Sequence, residues 1–104
     1  MLLNYLSVTL TREAKRMSVL REVYEKQLET LPKGSLRVRE RGGKRYFYLA
    51  YRKDGKVVSD YVGNDETVLT ELKEQLERRK GIENLLRSIK NELRLMNRAM
   101  EVAK

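Results

Sequence analysis

The chain has 104 residues, of which 37% are charged and 7% aromatic, a formal net charge of +8, and neither cysteine nor histidine. That excludes thiol catalysis, disulfides and the common zinc sites, and removes the usual general base near neutral pH. The size predicts a single domain spanning 1–104 with a modest core, the composition suits a helix-rich soluble protein, and a cytoplasmic setting fits the absence of cysteine.

Residues 1–10, MLLNYLSVTL, are apolar but too short to span a bilayer. They carry no basic start and no small-residue cleavage site, so neither a membrane span nor a secretory signal is expected. The run either extends the first helix or covers an apolar patch on a partner chain. Residues 11–31 read as an amphipathic helix: Leu10, Ala14, Met17, Leu20, Tyr24, Leu28 and Leu31 recur at spacings of three and four. Thr11 suits its start and Pro32 its end, and with the first ten residues the helical region covers 1–31.

Residues 35–63 read as two β-hairpins in series. Three short runs, SLRVRER, KRYFYLAYR and KVVSDYVG, are separated by Gly42-Gly43 and Lys53-Asp54-Gly55. Both turns offer residues that tolerate positive φ at two central positions, the demand of a type I′ turn. With two-residue loops Arg41 faces Lys44 and Lys53 faces Lys56. Side-chain alternation then sets Leu36, Val38, Phe47, Leu49, Tyr51, Val58 and Val62 on one face, a core face. The other carries Arg37, Arg39, Arg41, Lys44, Tyr46, Tyr48, Arg52, Ser59 and Tyr61. Asp60 is the misfit, falling on the apolar face at a sheet edge or beside a bulge.

After the sheet, Asn64 or Asp65 can cap a helix over 65–101, with Asp65 and Glu66 suited to its N-terminus. Its apolar stripe begins Leu69, Leu72, Leu76 and resumes Ile82, Leu86, Ile89, Leu93, Met96, Met100. The second part is a heptad seam, which needs a partner: the first helix or a second copy of the chain. Leu85 and Leu95 widen the apolar face and favour a small bundle. Leu76 to Ile82 is six residues rather than seven, with Gly81 inside the discontinuity, so either the helix breaks near 79–82 or one helix carries a shifted seam. The fold class is therefore α+β: an N-terminal helix, a three-stranded antiparallel β-meander, and a long or broken C-terminal helix.

The charge is concentrated. Residues 33–53 hold eight basic groups against one acidic, whereas 54–104 hold ten of each. A patch so focused points to a polyanionic partner; the plain alternative is a solubilising surface. Arg37, Arg39, Arg41, Lys44, Arg45 and Arg52 can neutralise phosphates or read guanine edges, and Tyr46, Tyr48 and Tyr61 can stack on bases or donate to phosphate oxygens. Were a helix to cover this face, the tyrosines would instead be core. Arg87, Lys90, Arg94 and Arg98 form a second basic stripe, by default a solvated helix face. No Walker A pattern, metal-spaced carboxylate cluster or nucleophile–base pair is present, so a non-enzymatic protein without cofactor is expected.

The run LPKGSLRVRERGGKRYFYLAYRKDGKVVSDYVG resembles a group of small, mostly uncharacterised bacterial and phage proteins. They share an LPKGSL start, a glycine turn, an aromatic run ending in Leu-x-Tyr-Arg, then Gly-Lys-Val and Tyr-Val-Gly before a charged helical tail. The same run is similar to the AP2-like three-stranded DNA-binding domain of tyrosine integrases, whose outer sheet face enters DNA. That resemblance implies Arg37, Arg39, Arg41, Lys44, Tyr46 and Tyr48 as contacts. This chain departs from it in adding a helix before the sheet, in a much longer following helix, and in lacking the integrase catalytic domain. Two functions are thus expected. The first is nucleic-acid binding, DNA ahead of RNA, with a homodimer through the helices. The second is a phage or mobile-element inhibitor or adaptor acting on a protein or a nucleoprotein such as a CRISPR effector.

Overall fold

The computed structural model describes residues 2–103, with side chains over 5–102. The fold is α+β, in the order α1 (Leu2–Glu29), β1 (Ser35–Arg41), β2 (Lys44–Lys53), β3 (Lys56–Gly63) and α2 (Glu66–Ala103). Among the described residues no helix is long and apolar enough to cross a membrane. The size prior gives one domain; the chain divides into two compact units that share α2. One is α1 with the α2 residues from Ile82 onward, and the other is Thr30–Gly81.

The apolar run before Thr11 continues α1, so Thr11 is interior rather than a start, and its hydroxyl donates to the Ser7 carbonyl oxygen at 2.8 Å. The helix stops at Glu29, two residues short of the expected Leu31. Pro32 disfavours helical backbone at the residue before it. The Leu31 carbonyl oxygen instead accepts a hydrogen bond from the Arg79 guanidinium at 3.0 Å.

The strands form one antiparallel sheet in the order β1-β2-β3. The first hairpin pairs Arg41 with Lys44 and holds that register to Ser35 opposite Ala50. The second pairs Lys53 with Lys56 and continues to Tyr48 opposite Tyr61. Both turns carry two successive positive φ angles, 57° and 77° at Gly42 and Gly43, 52° and 78° at Asp54 and Gly55, as type I′ turns require. Phe47 then pairs with Gly63, so a bulge leaves Val62 as the extra residue. The bulge lies beyond Asp60 and does not move it. Asp60 stays on the Phe47 face of edge strand β3, where its Oδ2 accepts a hydrogen bond from the Tyr51 hydroxyl at 2.7 Å. That bond holds the phenol proton and raises the Tyr51 pKa above its ordinary value, with desolvation and the Asp60 charge adding to it.

Phe47 is fully buried, the largest such side chain among the described residues, and Leu69 and Leu72 of the same unit are buried with it. Leu36, Leu49, Tyr51, Val58 and Val62 are half-buried, while Val38, expected in the core, is 42% exposed. Three strands and a few helical turns seal only the centre of the sheet, leaving its rim wet.

Asp65 caps α2: its Oδ1 accepts from the Thr67 amide at 3.0 Å and its carbonyl oxygen from the Leu69 amide at 3.2 Å. The helix runs unbroken for 38 residues through Gly81, so the six-residue step is a seam shift and not a break. Half-buried Arg79 occupies the helical position between Leu76 and Ile82. The shift falls at the boundary between the two units, Gly81 and Ile82. A Cβ at Gly81 would meet nothing within 4 Å. We therefore expect Gly81→Ala to stabilise the protein by about 1 kcal/mol; a fall in thermal midpoint would contradict this.

In the other unit α2 packs antiparallel on α1. Thr11 Oγ1 lies 3.4 Å from Met100 Sδ, Ala14 and Ser18 share a groove with Leu93 and Asn97, and Arg21 and Glu25 share one with Glu83, Leu86 and Lys90. Among the described residues, Ile82, Ile89 and Leu93 are the ones buried in this unit. The heptad seam thus folds against the first helix.

Candidate nucleic-acid interface

The register puts alternate residues of all three strands on the face opposite Phe47. Across β1 and β2, Arg41 stands beside Lys44, Arg39 beside Tyr46 and Arg37 beside Tyr48. Across β2 and β3, Tyr48 stands beside Tyr61 and Arg52 beside Val57. Tyr61 packs against both other tyrosines, with ring centroids 5.4 Å from Tyr48 and 6.3 Å from Tyr46 in tilted arrangements. The Arg39 guanidinium sits over the Tyr48 ring, 5.4 Å from its centroid. These aromatic and cation–π contacts hold the cluster without burying it: Tyr46 and Tyr48 are half-buried, and Tyr61 is 55% exposed.

Arg37, Arg39, Arg41, Lys44 and Arg52 are all exposed. None makes an ion pair among the described residues, in contrast to Arg16 with Glu13, Arg21 with Glu25 and Arg45 with Glu66. Strand β1 offers only Glu40 as a carboxylate, and alternation turns it to the Phe47 side. The face therefore presents five uncompensated cations around three tyrosines, the arrangement that lowers the free energy of a bound polyanion.

Arg45 is where the structure departs from the expected set. It shares the parity of Phe47, so it lies on the opposite face: its Nη1 is 3.4 Å from Glu66 Oε1, and its guanidinium stands over the Phe47 ring, 5.5 Å from the centroid. Arg45 links the first turn of α2 to the sheet. Strand parity alone separates it from Arg37 and Arg39, whereas its pairing with Glu66, 21 residues on, is a tertiary fact.

The expected set leaves out a shallow groove of about 350 Å³ at the far end of this face, lined by Lys33, Ser35, Arg37, Ala50, Arg52 and Val57 among others. Its signal in the sequence is the single small residue of the outer row of β2, Ala50, between Tyr48 and Arg52.

A family model described as a domain of unknown function (DUF6788) matches residues 10–74, more than half of the chain, and the chain belongs to that family. No curated protein matches it. No solved structure matches it either.

Proposed function

We propose that this member of a family without assigned function is a non-enzymatic nucleic-acid-binding protein. Its outer sheet face would be the contact surface. The observation that supports this reading is the row of exposed Arg37, Arg39, Arg41, Lys44 and Arg52, without ion pairs among the described residues, interleaved with Tyr46, Tyr48 and Tyr61. Arginine supplies charge and bidentate geometry, and tyrosine supplies a stacking face and a hydroxyl donor. DNA is favoured over RNA because a β-ribbon enters the major groove of B-form DNA, whereas that of A-form RNA is deep and narrow. The test is binding of the purified protein to labelled duplex DNA, single-stranded DNA and duplex RNA at two salt concentrations. Salt-sensitive binding with a preference for one form is expected. No binding at low salt would end this reading and move the assignment to the inhibitor or adaptor that acts on a protein partner.

We also propose that two copies associate through their helices. Leu6, Leu20 and Val23 of α1 and Leu85, Leu95 and Val102 of α2 are exposed. On each helix these residues sit at heptad-compatible spacings, about 100° around from the packed seam and in the same rotational sense. In an antiparallel pair that brings both runs to one side, the apolar side that a hairpin presents when two hairpins form a four-helix bundle. Light scattering is expected to give twice the chain mass, and Leu95→Glu to give the single mass with helicity retained. A wild-type monomer throughout the micromolar range would overturn the dimer.

A further inference from the structure

The groove at Ala50 belongs to the outer face but differs from its tyrosine cluster. Ser35 lies opposite Ala50 on β1 and Ser59 opposite it on β3. Ala50 and Ser35 put two small side chains side by side in the groove, with Val57 beside them. Gly34 also lines the groove and packs tightly on the backbone of Ala50: its φ of +136° is strained for any other residue, and a Cβ there would collide with the Ala50 carbonyl oxygen. Around the groove stand Lys33, Arg37 and Arg52, which form no ion pair among the described residues. Three like charges around one hollow repel each other, and a small anion between them removes that repulsion while accepting their donors.

We infer that this groove seats a phosphate group and, on the nucleic-acid reading above, a backbone phosphodiester of the bound strand. Lys33 acts as a point charge, Arg37 and Arg52 donate through their forks, and the Ser35 hydroxyl supplies a neutral donor. Tyr48 is two positions along the same strand from Ala50, about 7 Å, so one nucleotide can touch both.

The experiment is an NMR titration of the full chain, first with inorganic phosphate and then with a short duplex DNA oligonucleotide. Phosphate is expected to move the amide signals of Ser35, Ala50 and Arg52 and to leave those of Tyr46 and Tyr61 in place. In Arg37→Gln/Arg52→Gln, whose altered side chains are exposed and leave the core untouched, the phosphate response is expected to vanish. Oligonucleotide affinity in that variant is expected to fall roughly tenfold near 0.1 M salt, and the salt slope by about one. Phosphate that moves no groove amide, or moves every basic residue alike, overturns the groove. A double variant that binds oligonucleotide with unchanged slope also overturns it, while leaving the nucleic-acid reading standing. If phosphate binds in the groove and the oligonucleotide binds nowhere, the nucleic-acid reading fails and the groove remains, as a site for a free phosphate.

Discussion

Phe47→Ala is expected to cost about 3–5 kcal/mol and to move the urea unfolding midpoint of the protein far down. Phe47 has no exposed surface, sits at the centre of the middle strand, and is flanked in the same unit by buried Leu69 and Leu72. Removing the ring deletes the largest apolar contribution of that unit and leaves a hollow that neighbours only partly fill. The Arg45 guanidinium over the ring loses its aromatic partner as well. A chain of this length has about 5–15 kcal/mol of stability in all, so the change takes a large part of it. Phe47→Leu keeps most of the volume and is expected to cost markedly less. Tyrosine fluorescence during urea titration reads both; the midpoint of Phe47→Ala staying at the wild-type value would mean that the sheet is not held from the Phe47 side.

Arg37→Ala combined with Arg39→Ala is expected to weaken nucleic-acid binding roughly 60- to 100-fold near 0.1 M salt and to lower the salt slope by about two. Both side chains are exposed on the outer face, and both lack an ion-pair partner among the described residues, so their loss leaves the core intact. Arg39 has a second role, because its guanidinium over Tyr48 helps order the ring that would meet a base. Arg45→Gln is the informative control. Its charge is on the other face and offset by Glu66, so affinity is expected to stay within about threefold of wild type. Equal effects of Arg45→Gln and the double variant would mean that total charge, not this face, drives binding. If the double variant is tolerated while Leu95→Glu, a change at an exposed residue of α2, abolishes function, the helical unit is the working surface and the adaptor reading takes over.

The elements themselves were legible in the residues. Two turns that demand positive φ at adjacent positions determine loop length, loop length determines register, and register assigns every strand residue to a face. Hence the pairing from Arg41–Lys44 to Ser35–Ala50 and from Lys53–Lys56 to Tyr48–Tyr61 follows from local chemistry, and with it the row of arginines and tyrosines. Helical periodicity marked the seams of α1 and α2 in the same way, except at Leu20, which falls in the α1 stripe by spacing but is exposed in the fold.

Tertiary structure decided what depends on groups distant in sequence. Gly81 reads as a break by propensity, yet α2 passes through it, because about 1 kcal/mol against one residue is small beside the burial of Leu69 and Leu72 on one side and Ile82, Ile89 and Leu93 on the other. Asp60 looks misplaced until Tyr51, nine residues away, donates to it. Arg45 counts as one more free cation, already on the other face by parity, until Glu66 pairs with it. The groove at Ala50 exists because Gly34, Ser35, Arg37, Arg52 and Val57 converge there from the lead-in and three strands. Local sequence sets backbone geometry and side-chain parity; which charge is neutralised and which hollow stays open depend on partners that only folding brings within reach.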